Sequence, residues 1–181
     1  MIEMHAGDIE IAIARYLNPR QNLIVPNVSW GLGLYEKDLL VLTQSGYAWE
    51  IEIKVSLSDL IADKKKIHHH YSEKIKRLYF AVPEALQEKA LLHIPDRAGL
   101  FIIGTSEEHR RNCVRYGLTN PYVRLIKSPK INQLARKFTD KEIKKLYELA
   151  AMRIWSLKEV IYKLQREKLH PCQEETGERL E

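Results

Sequence analysis

The chain has 181 residues, of which 45% are apolar and 29% are charged, and its formal net charge at pH 7 is +5. This apolar fraction supports a buried core and excludes a wholly disordered chain. No apolar run approaches the roughly 18 residues that cross a membrane, and the first residues lack the pattern of a signal peptide. Cys113 and Cys172 form neither a disulfide framework nor a zinc pattern. We therefore expect a soluble, cytoplasmic protein without membrane contact.

The basic residues are concentrated in the C-terminal third of the chain. Residues 127–168 hold twelve Lys and Arg against five acidic side chains, whereas residues 1–126 hold sixteen against fifteen. A basic segment of this kind indicates a polyanionic partner, with nucleic acid as the obvious candidate. A long solvated helix rich in lysine would have the same composition, so charge alone leaves both interpretations open.

The first predicted elements are a helix and three strands. Apolar spacing predicts the helix over 8–17, and an extended segment over 23–30 follows, in which Pro26 indicates an edge strand or a bulge. Residues 38–43 and 47–55 predict a hairpin, because a glycine suits the end of a three-residue loop. The predicted elements that follow are a helix over 57–71, a strand over 77–82, a helix over 84–92, and strands over 100–104 and 122–126.

A long helix is predicted beyond Ser128-Pro129. Thr139 and Glu142 have the spacing of a capping box at its start. Apolar residues then form a stripe over about six turns; they are Ile143, Leu146, Ala150, Ile154, Leu157, Ile161 and Leu164. Such a stripe needs a partner, which is either the body of the protein or a second copy of the chain. The order of elements predicts an α/β protein with a mixed sheet between helices.

The third strand carries three charged side chains on one face. Side chains alternate across a strand, so the apolar residues of 49–55 face inward and the charged ones share the other face. The charged residues are Glu50, Glu52 and Lys54. A three-residue loop brings Asp38 of the preceding strand opposite Glu52, at a Cβ separation of about 4.5–5.5 Å. Two carboxylates this close repel each other unless a cation lies between them.

Two carboxylates beside a lysine suit Mg²⁺, which prefers oxygen ligands and keeps several waters. Such an ion lowers the pKa of a bound water and polarises a phosphodiester, and Lys54 could hold the water and offset charge on phosphorus. The alternative is a solvated sheet face with an ordinary Glu–Lys pair. The aspartate in the paired strand and the helix that follows favour the metal-site interpretation.

Asp38, followed after a hairpin by Glu52-Ile53-Lys54, resembles the PD-(D/E)XK nuclease superfamily. The stretches 52–65, 77–83 and 94–100 are similar to its MmcB-like branch, which is implicated in DNA repair. The resemblance implies a restriction-endonuclease-like αβββαβ core, with a mixed central sheet flanked by helices. The C-terminal helical extension lies outside the resemblance. With Ser128-Pro129 as a boundary, the chain divides into a nuclease-like domain over 1–127, a basic helical extension over 128–169 and a polar, acidic tail over 170–181 that we expect to be disordered.

The resemblance also implies roles for individual residues. Asp38 and Glu52, with a main-chain carbonyl near Ile53, would hold Mg²⁺ or Mn²⁺, and Lys54 would be the catalytic lysine. Many members place a glutamate of the first helix near the metal. Glu10 is the candidate for that position here, with Glu3 as the fallback. One departure is Lys37, which stands where proline commonly precedes the aspartate.

The helix after the motif supplies further candidates. Its basic residues would contact the DNA backbone; they are Lys64, Lys65, Lys66 and His70. Asp59 and Asp63 recur at turn spacing and could line the site, although ion pairs along an exposed helix edge explain each of them better when it is taken singly. Glu50 either joins the site or pairs with a neighbouring lysine.

The resemblance implies a Mg²⁺- or Mn²⁺-dependent DNA nuclease that hydrolyses phosphodiester bonds in DNA repair, restriction or mobile-element biology. Two other interpretations stay open. One is a non-catalytic nucleic-acid-binding module on a nuclease fold, because a fold does not establish an activity. The other is a partner-binding protein whose long C-terminal helix forms a homodimer.

Overall fold

A computed structural model describes residues 4–63, 72–104 and 121–169. The elements are helix α1 (Ala6–Tyr16), strands β1 (Leu23–Val28), β2 (Lys37–Leu42) and β3 (Ala48–Ile53), helix α2 (Leu57–Asp63), strand β4 (Ile75–Pro83), a 3-10 turn (Glu84–Leu86), helix α3 (Gln87–His93), strands β5 (Gly99–Gly104) and β6 (Tyr122–Lys127), and helix α4 (Asp140–Leu169). The predicted order of elements is confirmed within these ranges. The predicted tail over 170–181 lies outside them, and the proposed domain limits stay predictions.

Six strands form one mixed sheet in the order β1-β2-β3-β4-β5-β6. Strands β1, β2 and β3 run antiparallel, β3, β4 and β5 run parallel, and β6 returns antiparallel to β5. The predicted α/β fold with a mixed sheet is therefore confirmed. Strand β1 lies at an edge of the sheet, as Pro26 predicted, because proline cannot donate a hydrogen bond to a second neighbouring strand.

The parallel strands β3, β4 and β5 all end at one side of the sheet. Because β2 runs antiparallel to β3 and pairs with β1, the start of β2 and the end of β1 lie at the same side. We call this side the upper edge; it is marked by Val28, Lys37, Ile53, Pro83 and Gly104. The carboxyl ends of parallel strands are where α/β proteins place their sites, so the upper edge is where a site is expected.

Helices cover both faces of the sheet. On one face, α1 packs through Ile13 against the apolar core. On the other face, α4 covers β1 and β2 through Leu146 and Leu149, and α2 and α3 cover β4 and β5 through Leu60 and Ala90. The two apolar clusters on this second face leave β3 between them, and β3 is the strand that carries the charged motif.

The capping box predicted at the start of α4 is confirmed. The Glu142 N–H donates to Thr139 Oγ1 at 3.3 Å, and the Thr139 N–H donates to Glu142 Oε2 at 2.9 Å. Arg136 binds both oxygens of Glu142 at 2.8 Å, and Lys74 adds a contact at 2.9 Å. The hydrogen bonds from Arg136 are the main reason that the pKa of Glu142 lies well below its usual range. This cluster fixes α4 to the segment that precedes β4.

The predicted apolar stripe of α4 meets the sheet only along its first half. Leu146 and Leu149 are buried against β1 and β2, and the Arg153 guanidinium donates to the Asn27 carbonyl near the end of β1. Beyond Arg153, the large apolar side chains of α4 are exposed. None of the helices within the described ranges, α4 included, combines the length and the apolarity needed to cross a bilayer.

Candidate active site

The hairpin of β2 and β3 has the register that the loop length predicted. Gly46 has a φ of +82°, the left-handed conformation expected at the end of the loop, and Leu39 pairs with Ile51. One step further toward the upper edge, this register places Asp38 and Glu52 at the same level of neighbouring strands. Here the main chain of β3 bonds to a side chain of β2, since the Ile53 N–H donates to Asp38 Oδ2 at 2.7 Å.

Lys54 brings its ammonium group between the two carboxylates. Its Nζ lies 3.1 Å from Glu52 Oε2 and 4.0 Å from Asp38 Oδ2. The Glu52 side chain is buried, whereas the Asp38 side chain is 38% exposed. The Lys54 N–H donates to the carbonyl of Ala81 in β4 at 3.0 Å, which fixes the end of β3 to the neighbouring strand. The three predicted residues thus form one charged cluster that opens to solvent on the Asp38 side.

The alternative of a solvated sheet face is wrong. Glu50, Glu52 and Lys54 are all buried, because helices cover this face of the sheet on either side of β3. Val55, which alternation placed inward, is instead exposed, since β3 ends at Ile53. A buried charge costs several kcal/mol unless an opposite charge compensates it. The motif is therefore a buried ionic cluster and differs in kind from a surface pair.

A second buried ion pair lies next to this cluster. Lys37 Nζ is 2.8 Å from Glu50 Oε1, and the two side chains are 3% and 0% exposed. This contact resolves the two interpretations of Glu50, which pairs with a lysine of the neighbouring strand. The partner is Lys37, the residue that stands where the nuclease motif commonly has proline. The hairpin register did not indicate this pairing, because it places Leu40 rather than Lys37 opposite Glu50.

Glu10 approaches the same cluster from α1. Burial is the larger cause that raises the pKa of Glu10 above its ordinary value, and the negative charge of Asp38 is the second. Glu10 and Asp38 are therefore close enough to repel each other. A cation at the upper edge would relieve this repulsion. The fallback candidate, Glu3, lies outside the described residues.

Replacing Asp38 with asparagine is expected to lower the pKa of Glu10. Asparagine keeps an oxygen that can accept the Ile53 N–H but removes the negative charge. Because burial is the larger cause, the pKa of Glu10 should remain above its ordinary value of 4.5. Nuclear magnetic resonance titration of the glutamate carboxyl carbons measures this shift, with Glu10→Gln identifying the resonance. A pKa of Glu10 that is the same in both proteins would contradict the proximity of the two carboxylates.

The donor set at the upper edge suits a hard divalent cation. Mg²⁺ is usually held by one or two carboxylates and retains several waters, and Asp38 and Glu52 supply two. Within the described ranges, no group of three or more His, Cys, Asp or Glu side chains is arranged to hold a metal ion. A site built here would therefore rely on two carboxylates and water. The contact seen for Ile53 is made by its N–H, so its predicted role as a carbonyl ligand stays a prediction.

The remaining candidates are on the helix after the motif. Asp59 lies in the first turn of α2, where its N–H donates to Ser56 Oγ at 3.2 Å, and Asp63 ends the described part of this helix. The predicted DNA-contacting residues fall outside the described ranges; they are Lys64, Lys65, Lys66 and His70. Their role stays a prediction.

Comparison with known proteins identifies the family. No curated protein matches the chain significantly. A solved structure of a protein of unknown function from Silicibacter pomeroyi superposes with a TM-score of 0.57 at 20% identity, over 91% of this chain and 96% of that one. At this identity the similarity concerns the fold alone. A family model described as DNA repair protein MmcB-like matches residues 4–159, which include the whole cluster at the upper edge. The chain therefore belongs to the MmcB-like DNA repair protein family.

Proposed function

We propose that this protein is a metal-dependent DNA nuclease of the PD-(D/E)XK type that hydrolyses phosphodiester bonds during DNA repair. The observation that supports this most is the position of the Lys54 ammonium between Asp38 and Glu52. Two carboxylates that converge beside one ammonium form an oxygen donor set that suits a hard divalent cation. Membership of a DNA repair family supports DNA as the substrate.

Each residue has a distinct part in the proposed reaction. When bound, Mg²⁺ or Mn²⁺ would polarise the phosphodiester and lower the pKa of the attacking water. Asp38 would hold the ion from the open side, and Glu52 from the buried side. Lys54 would orient the water and offset the negative charge that develops on the phosphate oxygens. Glu10, with its raised pKa, would share the site with Asp38 and be able to take up a proton.

The basic surface near the upper edge would hold the DNA backbone. Arg153 binds Asn27 near the end of β1, and α4 continues past this point with four further basic residues, Lys158, Lys163, Arg166 and Lys168. Contacts between such side chains and phosphates position a nucleic acid without reading its sequence. Binding through them should weaken steeply as salt is raised.

A cleavage assay on supercoiled, linear duplex, single-stranded and branched DNA tests the proposal. Cleavage should require Mg²⁺ or Mn²⁺, stop with EDTA, and be lost in Asp38→Asn and in Glu52→Gln. Asp96→Asn is the matched control, because Asp96 is an exposed aspartate that pairs with Lys130. Cleavage that survives EDTA or Asp38→Asn would refute the mechanism. Salt-sensitive binding without cleavage of any substrate would favour the non-catalytic binding module.

A further inference from the structure

The part of α4 beyond Arg153 carries a continuous apolar face that is open to solvent. We call residues 154–168 the projecting half. Four of its apolar side chains, which we call the seam, lie three, four and three residues apart along the helix. Each of them is between 52% and 64% exposed. They are Ile154, Leu157, Ile161 and Leu164. Contiguous apolar surface of this kind is uncommon on a monomer and marks an interaction site.

The projecting half continues the face that the first half of α4 buries against the sheet. Leu164 lies 18 residues after Leu146, which is five complete turns, so the two side chains point to the same side of the helix. Leu146 is buried under β1 and β2, whereas Leu164 is exposed. At 1.5 Å per residue, the helix extends about 22 Å beyond Arg153. The same apolar stripe therefore runs off the body of the protein at the upper edge.

We propose that this face is a homodimer interface in which the projecting halves of two copies of α4 pair in antiparallel orientation. The seam has the heptad pattern of a coiled coil, with Ile154 and Ile161 at one core position and Leu157 and Leu164 at the other. In the antiparallel pair, Ile154 of each copy meets Leu164 of the second copy, and Leu157 meets Ile161. Both copies use the same residues, so the contact closes as a symmetric dimer. The proposal does not depend on nuclease activity.

The charges beside the seam favour the antiparallel over the parallel orientation. In a parallel pair, Arg153 of each copy would face Lys158 of the other copy, which gives two repulsive contacts. In the antiparallel pair, Arg153 of each copy faces Glu167 of the other copy, which gives two attractive contacts. Lys158 then faces its own counterpart, but its Nζ lies over the Trp155 ring at 5.3 Å from the centroid, directed away from the seam.

The exposed area of the seam fits a weak, reversible dimer. The four seam residues and Val160 expose more than half of their surface, which is roughly 80 Å² for each side chain. Two copies would thus bury about 800 Å² along the seam, which is below the roughly 1,200 Å² of a standard stable interface and is in the range of weak, reversible association. The helix is already formed by packing on the sheet, so pairing does not bear the cost of helix nucleation. We therefore expect a weak dimer that dissociates at micromolar concentrations.

Sedimentation velocity between 1 and 300 µM tests the association. The intact chain should shift from monomer to dimer over this range, and the double variant Leu157→Lys/Ile161→Lys should remain monomeric. Met152→Lys is the matched control, because Met152 is exposed to a similar degree on the opposite side of the helix. This control should dimerise like the unaltered protein. An unaltered chain that stays monomeric throughout would overturn the proposal, as would a dimer that survives the double variant.

Disulfide trapping tests the orientation. In a background of Cys113→Ser and Cys172→Ser, a mixture of the Ile154→Cys and Leu164→Cys proteins should form a mixed cross-linked dimer on oxidation. The Ile154→Cys protein alone should cross-link poorly, because its two cysteines lie at opposite ends of the antiparallel seam. Efficient cross-linking of Ile154→Cys with itself would indicate parallel helices and overturn the proposed arrangement.

Discussion

Replacing Lys54 with methionine is expected to lower the rate of DNA cleavage by about 10²- to 10³-fold, the usual loss when one electrostatic stabiliser of a transition state is removed. The ammonium lies 3.1 Å from Glu52 Oε2 and 4.0 Å from Asp38 Oδ2, and methionine carries no charge that could offset charge at the phosphate. DNA binding through the exposed basic surface should change by only a few-fold. Single-turnover cleavage at saturating DNA measures the rate independently of affinity.

Lys37→Met is the matched control for this experiment. Lys37 is also a buried lysine at the upper edge, but it pairs with Glu50 rather than with the two candidate ligands. Rates must be expressed per folded molecule, with the folded fraction taken from circular dichroism. The control should then retain the cleavage rate of the unaltered protein. If both substitutions slow cleavage equally per folded molecule, Lys54 has a structural role only and its catalytic assignment is wrong.

The arrangement of Asp38 and Glu52 could be predicted because it depends on local chemistry. A three-residue loop ending in a left-handed glycine fixes the register of a hairpin, and the pairing of Leu39 with Ile51 follows by counting outward from it. Pro26, which lacks an N–H, limits β1 in the same way to an edge strand or a bulge, and β1 lies at the edge. In both cases a residue type within a few positions of the feature determines the geometry.

The burial of the charged face could not be predicted from alternation alone. Alternating apolar and charged residues in β3 indicate that one face of the strand is buried and the other is exposed to solvent. Glu50 and Glu52, on the charged face, are nevertheless buried. The reason is long-range, because α2 and α3 from the middle of the chain and α4 from its C-terminal part cover that face on either side of β3. A signal for two covered faces was present in Leu100–Ile103, a continuous apolar run typical of a strand buried on both sides.

The exposed half of α4 follows from the relative lengths of the elements. A strand of six residues spans about 20 Å, whereas a helix of 30 residues spans about 45 Å. A single apolar stripe along the helix therefore cannot be buried by one sheet over its whole length. The sequence shows the stripe as uniform from Ile143 to Leu164, and only the packing of Leu146 and Leu149 shows which half contacts the sheet.

Replacing Lys37 with methionine is expected to reduce the free energy of unfolding by about 3–5 kcal/mol, the usual cost of removing one partner of a buried ion pair. The Lys37 and Glu50 side chains are 3% and 0% exposed and lie 2.8 Å apart. The substitution would leave the Glu50 carboxylate buried without this ammonium. Urea unfolding followed by circular dichroism measures the change.

Two further variants separate the loss of the ion pair from the loss of packing. In Lys37→Met/Glu50→Leu, both charges are replaced by apolar side chains of similar length, so most of the lost stability should return. Lys130→Met breaks the exposed pair with Asp96 and should have a much smaller effect, because surface ion pairs contribute little.

If Lys37→Met is no more destabilising than Lys130→Met, the buried pair does not stabilise the hairpin. If the double variant is no more stable than Lys37→Met, packing around Lys37 rather than charge is what the site requires. Because β2 pairs with β3 in this hairpin, the expected result would mean that the buried ion pair stabilises the hairpin as a whole.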